Sequence, residues 1–245
     1  RWWKQVIPPT SAYRINWDIS LSIFIIYSCL TVPFRLGFDV DPSTSMFGFD
    51  CFVDGLFMID ICLNFNTGYY DETETLVTNR RLISRNYIRG WFGVDFISTV
   101  PLDLMGEALD SNVGLLSSMR VFRVFRLMKL LKLARLTKIA RLFRNLEDVL
   151  HVNQSMLRLV RLLFNLCLSA HLLACTWWYL GDNQSGEVSW PQRFRLQEDD
   201  LYTKYITSLY WCVATMTAVG YGDIHAVTDA ERIYTIFTQM VGAVV

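Results

Sequence analysis

The chain has 245 residues, 52% of them hydrophobic and 14% aromatic, with 23 Lys and Arg against 23 Asp and Glu. With only 13 Gly and 6 Pro, collagen-like and disordered classes are excluded, and apolar runs near the roughly 20 residues that cross a bilayer imply a membrane protein. The zero net charge hides a segregation, because nine basic residues fall between Arg120 and Arg144 and the remaining 14 basic and 23 acidic residues leave the rest of the chain at about −9.

Apolar windows and their breakers predict membrane-crossing helices at about 17–36, 47–67, 89–106, 114–144 and 156–180, and a sixth that begins near Asp229 and is cut off at Val245. Seventeen residues rise only about 25 Å as a helix, so the sixth crossing is expected to be truncated and the chain to be part of a longer one. No cleavable signal peptide is visible at Arg1. Loop charges orient the bundle. Arg1, Lys4 and Arg14 precede the first helix, and Arg80, Arg81, Arg85 and Arg89 separate the second from the third, so both segments belong on the cytoplasmic side. The connections at 37–46, 107–113 and 181–200 are mainly acidic and belong outside, which predicts two cytoplasmic termini and a plasma-membrane protein. Asn183, in Asn183-Gln184-Ser185, is then a glycosylation candidate, whereas the similar triplet at Asn153 falls inside.

Six cysteines, at 29, 51, 62, 167, 175 and 212, form no CxxC pair and lie mostly in apolar runs, as small buried hydrophobes do. Cys29 and Cys51 fall near one membrane face, without a spacing that fixes a bridge.

Within the fourth helix Arg120, Arg123, Arg126, Lys129, Lys132, Arg135, Lys138, Arg141 and Arg144 recur at every third position among Val, Phe, Leu, Met, Ile and Ala. On an α-helix they wind as a spiral stripe about 4.5 Å apart along the axis, and in a 3₁₀ stretch they line up on one face. A solvated amphipathic helix would have a polar face between them, and this one does not. Charges inside a bilayer cost several kcal/mol unless partnered, so acidic residues are expected on neighbouring helices. Asp54 and Asp60 on the second helix and Asp95 and Asp103 on the third meet that expectation. Asp60 and Asp95 both fall about 10 Å from the cytoplasmic edge and can share one basic residue at a time. Phe57, one turn outward of Asp60, would cap that site and separate inner from outer water. Moving one charge through the membrane field is worth about 2.3 kcal/mol per 100 mV, so a few charges in each of four subunits gate a pore steeply. The ladder thus implies voltage sensing by displacement along the helix axis.

Between the fifth and sixth helices a shorter apolar stretch, 201–216, follows Asp199 and Asp200, which are good amino-terminal caps. Sixteen residues reach about 24 Å, enough to enter the membrane without crossing it, so this helix is read as re-entrant, its negative carboxyl end suiting a cation. Thr217-Ala218-Val219-Gly220-Tyr221-Gly222-Asp223 follows it. Its glycines sit where the backbone must take unusual torsions and turn the carbonyls of Ala218, Val219, Gly220 and Tyr221 inward to replace the hydration shell of K⁺. One chain supplies one strip of carbonyls, so a ring needs four copies, a homotetramer.

The sequence resembles voltage-gated K⁺ channels of the cyclic-nucleotide-binding-domain superfamily, which includes ether-à-go-go, plant inward-rectifying and HCN channels. The resemblance rests on 52–54 and 60–68, on Gly90-Trp91-Phe92-Gly93-Val94-Asp95, on the charged helix, on 170–179 and on the filter. It implies an all-α membrane protein of six transmembrane helices, a four-helix voltage sensor plus a two-helix pore with a re-entrant pore helix. The domains expected are a cytoplasmic pre-sensor segment at 1–16, the sensor at 17–144, a short linker at 145–155 and the pore at 156–245. Phe57, Asp60 and Asp95 match the family's charge-transfer site, and the short linker resembles that of members whose sensor packs on its own subunit's pore, a non-swapped arrangement. A cyclic nucleotide enters only through a carboxyl-terminal domain beyond these residues; no other cofactor is implied, and K⁺ is the permeant ion. Ala218 departs from the K⁺ pattern, which has Thr there. HCN channels also lack that Thr and are weakly selective, but Asp223 directly after the glycines is the K⁺ form, so K⁺ selectivity is expected, with weak K⁺/Na⁺ selectivity the alternative. Lipid is the other expected partner. An enzyme is not expected, because His151, His171 and His225 are scattered without metal spacing or a nucleophile motif, and ladder charges embedded in apolar sequence do not suit nucleic acid.

Overall fold

The computed structural model describes residues 6–71, 75–99, 128–139, 154–184 and 188–244. Arg120, Arg123, Arg126, Arg141, Arg144 and Asp103 therefore lie outside the described residues. The chain is mostly helical, and it divides into two compact units. The first comprises 1–29 and 42–151, the second 30–41 and 152–245.

In the first unit, helix α1 (Ala12–Gly37) begins five residues before the expected position, because the Ser11 hydroxyl accepts the Arg14 amide at 3.4 Å after a Pro8-Pro9 break. Its residues up to Cys29 belong here and the remainder to the second unit. Ser43 caps α2 (Thr44–Asn64) through the Met46 amide. Between α2 and the third expected crossing lie elements that apolar windows do not find. Strands β1 (Tyr69–Tyr70) and β2 (Leu76–Val77) pair antiparallel, and α3 (Arg80–Arg89) starts at an Asn79 cap that accepts the Arg81 amide at 3.1 Å. Helix α3 buries Ile83 and Tyr87 while Arg80, Arg81, Arg85 and Arg89 stay exposed, a helical stripe too short and too charged to register as a span. The third crossing, expected from residue 89, begins instead as α4 (Phe92–Thr99), because Gly90 leaves helical geometry with φ −97 and ψ −87. A 3₁₀ helix, η1, covers Lys129–Arg135.

In the second unit α5 (Gln154–Asp182) is followed by the single turn α6 (Trp190–Arg193), by α7 (Leu201–Met216) and by α8 (Asp229–Val244). Its core is aromatic. Trp177 stacks on Trp211 with ring centroids 3.7 Å apart and on Trp190 at 5.2 Å, and Phe38 stacks on Trp178 at 5.4 Å. Close helix approach depends on Gly242 of α8, where an added methyl would lie 2.5 Å from the Met216 carbonyl oxygen at the end of α7.

Both units bury polar groups and expose apolar ones. Ile23, Phe52, Met58 and Ile59 of the first unit, and Leu159, Leu163, Ile233 and Met240 of the second, are large, apolar and exposed. Among the described residues two helices, Ala12–Gly37 and Ser155–Asp182, are long and apolar enough to cross a membrane. Helix α2 has the length, but Asp50, Asp54 and Asp60 interrupt its apolar run. All six cysteines are free, Cys29 buried and Cys51 exposed.

Candidate functional site

Four of the nine ladder residues are described, and they sit in the 3₁₀ segment and the turn after it. Three residues per turn eclipse positions i and i+3, so Lys132 and Arg135 fall on one face. Both meet Asp54. Lys132 Nζ donates to its Oδ2 at 3.0 Å and Arg135 Nη2 to its Oδ1 at 2.7 Å, while Arg135 Nε donates to the Ser98 carbonyl at 3.0 Å. Arg135 is 1% exposed, and the Phe57 ring centroid lies 4.0 Å from its Cζ.

Lys138, the next ladder residue, meets the same ring. Its Nζ is 5.1 Å from the Phe57 centroid, 2.7 Å from Asp60 Oδ2 and 3.5 Å from Asp95 Oδ1. Phe57 and Asp60 of α2 and Asp95 of α4 are thus brought together around one basic side chain, and each is at most 1% exposed. Arg135 pairs with Asp54, before Phe57 on α2, and Lys138 with Asp60, after it. Lys129 is half-buried at the start of η1.

Sequence reasoning missed several members of this site. Arg14 Nη2 of α1 lies 3.0 Å from Asp60 Oδ1, and Trp17 Nε1 donates to the same oxygen at 3.2 Å. Asn64 donates to Asp60 Oδ2 at 3.3 Å, and the Tyr87 hydroxyl donates to Asp95 Oδ2 at 2.7 Å. Burial first, then the Asp95 carboxylate, push the Tyr87 phenol well above its ordinary range, so it remains a donor. Asn64 was detectable as one helical turn from Asp60; Arg14 was grouped with the cytoplasmic charges that orient the bundle, and nothing in its spacing tied it to α2. A cavity of about 170 Å³ opens here, lined by Arg14, Asp18, Asp60, Asn64, Thr67 and Lys138 among others.

In the second unit the segment 217–223 leaves the carboxyl end of α7. The Ala218 amide donates to the Thr215 carbonyl at 3.2 Å, and the Val219 and Gly220 amides both donate to the Ala214 carbonyl at 3.0 Å. Ala218, Gly220 and Gly222 have φ of 57, 56 and 77, and the residues between them do not have positive φ. The left-handed region costs a residue with a side chain roughly 1 to 2 kcal/mol, so Ala218 is a strained position and the two glycines are not. Thr217 ends α7, its hydroxyl donating to the Val213 carbonyl at 2.7 Å. Tyr221 is 70% exposed in the single chain and its ring stacks on Tyr210, whose hydroxyl donates to Asp223 at 2.8 Å. At the amino end of α7, the Thr203 hydroxyl donates to Asp200, and that bond holds the Asp200 carboxyl below its usual range.

Glu231 is a further residue missed from sequence. It is fully buried, and its carboxylate accepts amides from Trp190 at 3.0 Å, Val227 at 2.7 Å and Thr228 at 3.1 Å, while the Thr228 hydroxyl accepts the Glu231 amide at 3.3 Å. Thr228-Asp229-Ala230-Glu231 has the spacing of a capping box, and that pattern was the available signal. The Glu231 carboxylate fastens the start of α8 to α6 through the Trp190 amide. Asn183 is exposed at the end of α5, its amide donating to the Tyr179 carbonyl at 3.0 Å. His171 is buried between Tyr205 and the Leu30 carbonyl, at 2.9 and 3.0 Å. Among the described residues no group of His, Cys, Asp or Glu is disposed to hold a metal ion.

Comparison with known proteins gives a consistent relationship. The family described as ion transport protein matches residues 14–245. Potassium channel AKT1 of Arabidopsis thaliana is 31% identical over 239 residues, covering 96% of this chain and 26% of the relative. The voltage-gated inwardly rectifying potassium channel KCNH2 of Cavia porcellus is 26% identical over 95% of this chain, and potassium voltage-gated channel unc-103 of Caenorhabditis elegans is 29% identical, also over 95%. The chain spans 19% of the length of the second relative and 30% of the third.

Proposed function

The chain belongs to the ion transport protein family, and on that premise we propose that it is the transmembrane region of a voltage-gated, potassium-selective channel. The observation that carries the reading is the pair of ladder cations, Arg135 and Lys138, both over the Phe57 ring, the first paired with Asp54 and the second with Asp60 and Asp95. Because the ladder repeats every three residues, an axial step of one repeat exchanges one cation for the next at the same carboxylates. Charge crosses the ring while the number of buried pairs is preserved, which keeps the step free of the several-kcal/mol penalty of an unpaired buried charge. Arg120, Arg123, Arg126, Lys129, Lys132, Arg141 and Arg144 complete the ladder, and Asp103 is a further countercharge.

The pore is proposed to be a homotetramer with K⁺ held by the backbone carbonyls of Ala218, Val219, Gly220 and Tyr221, between Thr217 and Asp223. The alternation of left- and right-handed torsions supports this, since in such a strand the N–H groups turn to one side and the C=O groups to the other. Six crossings with both termini cytoplasmic in the plasma membrane, divided at 1–16, 17–144, 145–155 and 156–245, and glycosylation at Asn183 belong to the same reading. A non-swapped arrangement is supported by the second unit, where residues 30–41 of the first helix cluster with α5 and α7 of their own chain, as in the His171 contact to the Leu30 carbonyl.

Reversal potentials in mixed K⁺ and Na⁺, together with gating currents, test the proposal. A K⁺-selective wild type with saturating gating charge that falls in Lys138→Gln is the expected result. Ala218→Thr is expected to alter conductance and internal Ba²⁺ block more than the permeability ratio, because the carbonyl rings remain. A wild type that passes Na⁺ nearly as well as K⁺ and becomes strongly selective in Ala218→Thr replaces this reading with a weakly selective cation channel.

A further inference from the structure

We infer that Arg14 is a resident cation of the charge-transfer site, a guanidinium that does not travel with the ladder but shares Asp60 with whichever ladder residue occupies it, and so sets the voltage at which the ladder moves. The inference deepens the voltage-sensor reading and rests on it.

Arg14 lies on α1, outside the ladder, and is 8% exposed. Its Nη2 stands 3.0 Å from Asp60 Oδ1, 3.0 Å from Asn64 Oδ1 and 2.8 Å from Asp18 Oδ1. Trp17 Nε1 adds a second α1 donor to Asp60 Oδ1 at 3.2 Å. Lys138 occupies the opposite oxygen, Oδ2, at 2.7 Å. The two oxygens of Asp60 are thus divided between a fixed helix and a repeating one. A second nitrogen of Arg14, Nη1, is buried without a hydrogen-bond partner among the described residues, and the side chain lines the cavity of about 170 Å³ with Asp18, Asp60, Asn64 and Lys138.

A site that passes charges in sequence must bind each one and release it. Asp60 and Asp95 alone would place two carboxylates opposite one ladder cation in a buried pocket, and such a site releases its occupant reluctantly. Arg14 neutralises part of that charge from the side, and Asp18, four residues along the same helix, offsets Arg14 in turn. Helix α1 therefore adjusts the potential felt by the ladder on the cytoplasmic side of Phe57. Removing the positive charge of Arg14 makes that side more negative and holds ladder cations inward. Removing the negative charge of Asp18 makes it more positive and drives them outward. For unit charges a few ångströms apart in a partly solvated interior, the ratio of outward to inward sensors at a fixed voltage changes by on the order of tenfold.

The test is the charge–voltage relation from gating currents of the full-length channel with its pore blocked. Wild type is measured first, and if it carries no saturating gating charge, the voltage-sensor reading itself falls. With wild-type charge movement present, Arg14→Gln is expected to shift the curve to more positive voltages with total charge unchanged, because a resident cation does not cross the field. Arg14→Lys, which keeps the charge, shifts less. Asp18→Asn shifts the curve to more negative voltages, and Arg14→Gln combined with Asp18→Asn returns it toward the wild-type position. An Arg14→Gln curve coincident with wild type, a loss of total charge in it, or shifts of the same sign in Arg14→Gln and Asp18→Asn overturn the inference. Should Arg14→Gln not reach the surface, Asp18→Asn decides alone: an unchanged or positive shift overturns the inference.

Discussion

The first unit is held together at its centre by charge and the second by aromatic rings. Asp54, Asp60 and Asp95 meet Lys132, Arg135, Lys138 and Arg14 in the one, while Trp177, Trp190 and Trp211 stack in the other. Ion pairs between a carboxylate and a cation repeated every three residues have many equivalent solutions along the helix axis. Interdigitated rings have one, because shape complementarity is lost with a shift of less than a side chain. Motion is cheap in the first unit and costly in the second: repeated cations can exchange partners, and stacked rings cannot.

The largest effect that would break this comparison is expected in the second unit. Trp177→Ala removes a fully buried ring that touches Trp190, Trp211 and Tyr234, and is expected to cost about 3 to 5 kcal/mol, read as loss of thermal stability in detergent. Retention of wild-type stability would mean the stack is not what holds that core. Next comes Asp54→Asn, which leaves Lys132 and Arg135 buried without their carboxylate. It is expected to cost about 3 kcal/mol and to shift the charge–voltage curve, whereas Trp177→Ala should not move the curve of those channels that do assemble.

Glu231→Gln gives a finer test, because Glu231 is the one fully buried carboxylate among the described residues of the second unit, and the bonds to it come from backbone amides. A static carboxylate should affect stability and not voltage dependence. The expected loss is about 2 kcal/mol, with gating charge and midpoint unchanged in the same cells; a shifted midpoint would count against the division drawn here.

The smallest effect concerns Asp200 at the exposed amino end of α7. Its carboxyl is held below the usual range by the Thr203 hydroxyl bond. A group whose folded pKa is depressed adds stability above its unfolded pKa, near 3.9, and loses it as pH falls through the folded value. Thr203→Ala is therefore expected to flatten the acid limb of a pH–stability profile slightly and, above about pH 5, to lower stability by a small constant amount without changing the slope.

The regular spacing of the basic residues, the glycines that follow α7 and the aspartates in apolar helices were legible in the sequence because each is a local signal. Spacing of three, two glycines after a short capped helix, and an acidic residue in an apolar run all announce themselves within a few positions. The membrane class followed from apolar runs in the same way. Other features depend on which helices meet. That Asp54 takes both Lys132 and Arg135, that Arg135 and Lys138 both meet Phe57, and that Lys138 is the cation at Asp60 are facts of register between α2, η1 and α4, and periodicity within one helix does not fix its register against another. Helix α3 and the short β-hairpin were hidden because their apolar positions are too few to form a run. Arg14 read as one more cytoplasmic basic residue, and Glu231 carried no role in the sequence reading. Only the tertiary structure could give them partners, because a buried charge is identified by the groups that surround it and those groups lie 46 and 41 residues away, at Asp60 and at the Trp190 amide.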